Sequence, residues 1–152
     1  MPTSGVKVDV VVIGAGAAGL MCAIEAARRG RQVLAIDHAA RLGGKILISG
    51  GGRCNFTNLG AGPANYKSQN PHFAKSALSR YTPQKFIELV ERHGIAYHEK
   101  KLGQLFCDDS AQEIVNLLKT ECEQVGARFK LGTQILKIAR LTENNTSSER
   151  FL

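Results

Sequence analysis

At 152 residues, with 43% hydrophobic and 22% charged side chains, the chain has the length and composition of one ordinary soluble globular domain. Its 20 Lys and Arg against 13 Asp and Glu give a formal +7, which suits an anionic partner, yet no Lys/Arg run exceeds two residues, so nucleic acid is not expected. The four cysteines (22, 54, 107, 122) form no C-x-x-C pair, the run Val8–Ile13 is too short to span a bilayer, and no secretory pattern opens the chain. These features weigh against a zinc site, a thioredoxin motif and a membrane span, and a reduced, cytoplasmic protein is expected.

Val8–Ile13 is a β-branched run without alternation, as for a strand buried on both faces of a parallel sheet. Gly14-Ala15-Gly16-Ala17-Ala18-Gly19 follows at once. Leu20–Arg29 is rich in helix formers, with Gly30 as its C-terminal cap, and Gln32–Ile36 is a second strand ending at Asp37. Strand, glycine turn, helix and strand make a βαβ unit. The stretch from 38 to 70 reads as loop. Asn70-Pro71 opens a helix to about Arg80, and Thr82 caps a second that starts at Pro83 and ends at Gly94. Ile95–Glu99 and Gln104–Cys107 read as a hairpin around Gly103. Ser110 and Glu113 form a capping box for a helix whose apolar face is Ile114, Leu117, Leu118, Cys122 and Val125, stopping at Gly126. Ala127–Leu131 is a third strand, Gln134–Leu141 a fourth, and 142–150 is polar and turn-like.

The chemistry lies in the glycines. Gly14 lets the first strand turn sharply, Gly16 lets a pyrophosphate approach the main chain, and Gly19 lets the helix pack on the strand. Ala17 and Ala18 then offer free N–H groups at the positive end of the helix dipole. Asp37, 23 positions after Gly14, stands where an acid takes the ribose hydroxyls. A dinucleotide site is expected; the βαβ unit alone does not separate NAD from FAD.

The next segments add a resemblance. Gly43-Gly44-Lys45, then Gly50-Gly51-Gly52-Arg53-Cys54-Asn55-Phe56-Thr57-Asn58, and later Gly103-Gln104-Leu105-Phe106-Cys107, resemble the NAD(P)/FAD-dependent flavoprotein oxidoreductases that include aminoacetone oxidases and BaiN-type bile-acid reductases. The resemblance covers essentially the whole chain. It implies a Rossmann-like α/β FAD domain with a parallel sheet in 3-2-1 order and a loop-rich insertion at about 38–109. Gly14, Gly16, Ala17, Ala18, Gly19 and Asp37 would hold the ADP half of FAD, and Gly44, Lys45, Gly52, Arg53, Cys54 and Asn55 would lie toward the flavin half. Asp37 replaces the more usual Glu, Gln104 an Arg and Cys107 a Pro.

The family's members are about twice this length or more, and their later A-T-G-G segment is absent here. The expectation is therefore an amino-terminal portion over 1–141 with a polar tail at 142–152, incomplete for catalysis. An unpaired sheet edge would favour self-association. A complete enzyme is expected to carry out hydride chemistry on an unidentified small molecule, with NAD(P)H as electron donor. Cys54 is expected to pack against the cofactor, and Cys22 and Cys122 to be core. The histidines at 38, 72, 93 and 98 have no metal-ligand spacing, and no metal is expected. Two other readings stay open. One is an NAD-binding Rossmann protein without flavin. The other is a basic interaction module without catalysis, whose mark would be salt-dependent nucleic-acid binding.

Overall fold

The computed structural model describes residues 6–141 and 150–151. In chain order its elements are β1 (Val10–Ile13), α1 (Ala17–Arg28), β2 (Val33–Ile36), α2 (Gly44–Ile48), β3 (Asn55–Asn58), α3 (Lys75–Arg80) and α4 (Pro83–Arg92), then β4 (Tyr97–Glu99), β5 (Gln104–Cys107), α5 (Ala111–Gln124), β6 (Arg128–Lys130), β7 (Arg140–Leu141) and β8 (Arg150–Phe151). β1, β2 and β6 form a parallel sheet in that order, with Val10 opposite Val33 and Leu34 opposite Arg128. This is the expected 3-2-1 half of a doubly wound sheet. Burial of β1 on both faces does not hold: Val12 is buried, but Val11 is 51% and Ile13 60% exposed.

α1 covers the sheet with Leu20, Ala23, Ile24 and Ala27, all buried and spaced three or four apart. It starts at Ala17, three residues before the apolar stripe, with Gly16 extended as its N-cap residue. α5 lies beside it and buries Ile114, Leu117, Leu118 and Cys122. The Cys122 thiol reaches the Leu20 carbonyl at 3.6 Å, so Cys122 is core as expected. Cys22 is not: it is exposed, on the side of α1 away from the buried stripe. One acid, Glu121, is buried on α5, where it accepts from the Arg28 guanidinium and pairs with His93 Nε2 at 2.8 Å, tying α5 to both α1 and α4.

A second, antiparallel sheet runs β3-β5-β4, with Tyr97 opposite Cys107 and Asn55 opposite Phe106. The hairpin at Gly103 (φ +77°) is as read from sequence, but the 38–70 stretch is not all loop: it contains α2 and β3. β3 is set by its pairing with distant β5, a long-range contact that local composition does not carry. α3 begins at Lys75 rather than Asn70. The Asn70 side chain accepts from His72 N–H at 3.0 Å and its carbonyl from Phe73 N–H at 3.1 Å, a local turn that competes with helix. The caps at Thr82 and Ser110 form as expected: Lys85 N–H donates to Thr82 Oγ1 (3.4 Å), and Ser110 N–H to Glu113 Oε2 (3.3 Å).

The fourth strand is also corrected. Gln134–Ala139 has no regular structure, and only Arg140–Leu141 pairs, with Arg150–Phe151. Gly132 (φ +60°) turns the chain across the end of β2, where Gly132 N–H donates to Ala39 O and Thr133 N–H to Asp37 O, both at 2.9 Å. The periodic residues Leu136 and Ile138 are 88% and 60% exposed. Of the polar, turn-like stretch expected at 142–150, Arg150 lies in β8 and the rest lies outside the described residues.

Candidate nucleotide-binding site

The three glycines of the first turn do three different things. Gly14 has φ +101°, a conformation closed to other residues, and its N–H donates to Ile36 O at 2.8 Å. Gly19 is a packing contact: a Cβ there would lie 1.8 Å from Gly14 O. Gly16 is the opposite case. Its backbone is extended (φ −84°, ψ −175°), and a Cβ would meet nothing within 4 Å. Space is therefore left open over the backbone at the amino end of α1, where Ala17 and Ala18 are exposed. The first N–H groups of a helix have no partner within it, and the dipole there favours an anion.

Asp37 is wired into the same turn. Its Oδ2 accepts from Ala15 N–H at 2.7 Å and its Oδ1 from Ala39 N–H at 2.8 Å. These bonds, Ala39's foremost and then Ala15's, hold the carboxyl below the usual range for an aspartate against the opposing effect of desolvation. Its side chain is 15% exposed, so a ligand can still reach it, and His38 Nδ1 lies 3.2 Å from Oδ1.

Two clefts flank the turn. One, of about 720 Å³, lies over the carboxyl ends of β1 and β2; Gly14, Asp37, His38 and the crossing segment Gly132–Ile135 line it. The carboxyl ends of the strands are where doubly wound sheets bind ligands. The other, of about 250 Å³, is lined by Ala17, Lys45, Ser49, Cys54, Asn55 and the ring of Phe56, among others. Gly14 and Ala17 belong to one turn, so the glycine turn stands between the clefts. Gly43 N–H donates to Ala15 O at 2.9 Å and fixes the start of α2, with Gly44 and Lys45, against that turn.

The second glycine run forms a left-handed turn: Gly50, Gly51 and Gly52 have φ +58°, +68° and +86°. A Cβ on Gly50 would lie 2.7 Å from Asn55 N and 2.8 Å from the Phe106 ring, so this turn is packed onto the second sheet. Cys54 follows with φ +48°, rare for a residue with a side chain, and buried. Burial pushes its thiol pKa up, partly offset by a bond with Ser49, so the thiol stays protonated near neutrality. Arg53 is exposed and lines neither cleft, although its carbonyl accepts from Cys107 N–H at 2.9 Å. Gly52 is half-buried and also lies outside both linings.

The structure thus brings Gly14, Gly16, Ala17, Ala18, Gly19 and Asp37 to one turn, and Lys45, Cys54 and Asn55 to the second cleft. Sequence reading missed Gly132–Ile135, whose glycine after a short strand is a crossing signal. It also missed Phe56 and Phe86, which face each other at 6.0 Å between ring centroids at the second cleft.

A parallel sheet with a glycine turn, an acid bonded to it and two clefts around it defines a Rossmann-type dinucleotide-binding domain. Residues 8–150 match the HI0933-like protein Rossmann domain, and the chain belongs to that family. It is 58% identical over 134 residues to the ribosomal RNA dihydrouridine synthase of Escherichia coli (strain K12), covering 88% of this chain and 34% of that one. It is 29% identical over 127 residues to the 3-dehydro-bile acid delta(4,6)-reductase of Clostridium scindens, covering 82% of this chain and 31% of that one. The open conformation of a flavocytochrome c3 fumarate reductase shares the fold (TM-score 0.54, 19% identity, 87% of this chain and 28% of that one). The chain spans about a third of the length of the curated relatives it matches. The expected flavoprotein Rossmann family therefore holds in its broad form. The bile-acid reductase resemblance is the distant one, and the ribosomal RNA relative stands nearer.

Proposed function

We propose that the chain is the FAD-binding portion of a flavin-dependent oxidoreductase, and that the substrate of the longer protein is a uridine of ribosomal RNA. The observation that carries the flavin reading is the phosphate turn set between two clefts, one ending at an acid and one at Lys45, Cys54 and Asn55. A mononucleotide would need only one of them. The substrate rests on the 58% identity to the dihydrouridine synthase.

The residues present fit the cofactor. The open approach over Gly16 and the N–H groups of Ala17 and Ala18 suit its pyrophosphate. Asp37 keeps lone pairs for the ribose hydroxyls while holding Ala15 N–H. Lys45 supplies a positive charge at the second cleft, and the apolar surface of Phe56 excludes water there. When bound, the flavin supplies hydride chemistry; saturation of the uracil C5=C6 bond takes up one hydride and one proton. NAD(P)H as the reductant that restores the flavin, and a cytoplasmic location, belong to the same proposal.

The test is a visible absorbance spectrum during FAD titration, together with mass spectrometry of ribosomal RNA treated with the full-length protein, its flavin and NAD(P)H. A shifted flavin spectrum and a 2 Da gain in one uridine are expected. Unchanged flavin absorbance with full-length protein refutes the cofactor, and flavin binding without the mass gain refutes the substrate.

A further inference from the structure

The positive charge of this chain is not spread over it. Between Asp37 and Glu88 there is no acidic residue, yet the segment holds seven Lys and Arg. The rest of the chain has 13 of each sign, so the whole formal +7 resides in 38–87. All seven cations are exposed, and none forms an ion pair with a described residue. A solvated surface ordinarily mixes signs; an acid-free run of this length sets up a one-signed field.

Its course gives that field a target. The chain leaves the second cleft at Phe56 and returns to it at Phe86, the two rings 6.0 Å apart. Between them the backbone arches outward: of residues 63–81 only Ala74 is buried. The arch carries Lys67, Lys75, Arg80 and Lys85, interleaved with Tyr66 (51% exposed) and Phe73 (70% exposed). Neither ring is held in the core, so both present aromatic surface to the solvent. Cations that track a backbone and aromatic faces on which bases stack are the elements of single-strand recognition.

We propose that the arch between Phe56 and Phe86 is a docking surface for single-stranded RNA, which it holds at the mouth of the second cleft. This rests on the substrate reading above and adds where the RNA binds. Duplex RNA fits less well, because its bases are stacked on each other and closed to Tyr66 and Phe73.

The test uses the flavin-loaded full-length protein and a fluorescein-labelled, uridine-rich single-stranded RNA of 20 nucleotides, titrated over a range of salt. Replacing Lys67, Lys75 and Arg80 together by Gln should weaken binding about tenfold or more and flatten the slope of log K against log salt by about 2, at about 0.7 per phosphate contact. Tyr66→Ala with Phe73→Ala should cost about tenfold at unchanged slope, the signature of lost stacking. A control with Lys7, Lys119 and Arg128 changed to Gln, outside the segment, should bind as the parent does. The flavin spectrum and melting temperature report that each variant is folded.

Equal losses in the control and the arch variant, or none in either, overturn the proposal. So does tighter binding to duplex RNA, or an arch variant whose loss appears on phosphatidylserine vesicles and not on RNA. RNA binding that depends on the arch, with no reduced uridine formed, leaves the docking surface standing and refutes the reaction.

Discussion

Gly16 and Gly19 differ by three positions and carry opposite expectations. At Gly16 the backbone is ordinary and a side chain has room, so Gly16→Val should fold and melt close to the parent. It should lose FAD binding by at least a hundredfold, because the new methyls occupy the space proposed for the pyrophosphate; flavin titration with circular dichroism separates the two effects. At Gly19 even one methyl meets the Gly14 carbonyl, and Gly19→Ala should cost about 3 kcal/mol or more in urea unfolding. Asp37 makes a third case. Its folded pKa is depressed, so its ionised form stabilises the fold above the unfolded value near ~3.9, and that stability is lost as pH falls through the folded value. Asp37→Asn should therefore lower the free energy of urea unfolding at pH 7 by about 1–2 kcal/mol. The gap to the parent should narrow as the pH falls through the depressed folded value. An equal gap above and below that value would assign Asp37 no electrostatic role in the turn.

Helix ends with a capping side chain or a terminal glycine were legible. Thr82-Pro83, Ser110 with Glu113, and the glycines at 30 and 126 act through contacts within a few residues, so their chemistry is visible locally. The glycine turn was legible for the same reason, as Gly14, Gly16, Gly19 and the acid bonded to the turn all follow from one βαβ unit. What escaped was set at a distance. β3 exists because β5 pairs with it, and Gln134–Ala139 fails as a strand because Gly132 and Thr133 bond across the end of β2. Cys22 was misplaced because an alanine-rich helix shows its apolar face only weakly. Glu121 gave no local sign of its burial, and it joins three helices. Glu121→Ala should lower stability by about 1–2 kcal/mol, read from the urea midpoint, since the exposed part of Arg28 recovers its hydration while His93 loses its partner. A change within error would mean the three helices hold together by apolar packing alone.

For the fold taken together, accessibility gives the broadest checks. Only Cys22 of the four thiols is exposed, and burial raises Cys107 to about 12 and Cys122 to about 11. One equivalent of a thiol reagent should react quickly with native protein, and the other three only with unfolding. The open side of β1, with Val11 and Ile13 in water, predicts concentration-dependent self-association of the isolated 152-residue chain in sedimentation, which Val11→Lys should abolish.

The parallel sheet also dictates an order of events. β1 and β2 are joined by one short helix, and the β4–β5 hairpin closes around Gly103. β6 can add to β2 only after the whole stretch from Asp37 to Ala127 has been drawn together, and the entropy of closing so long a loop is lost before any β2–β6 bond compensates it. In pulse-labelled hydrogen exchange during refolding, amides of β5 should therefore gain protection before those of β6. The Asp37–Ala15 bond should form early, leaving the glycine turn in place while the crossing segment Gly132–Ile135 along the first cleft is still in motion.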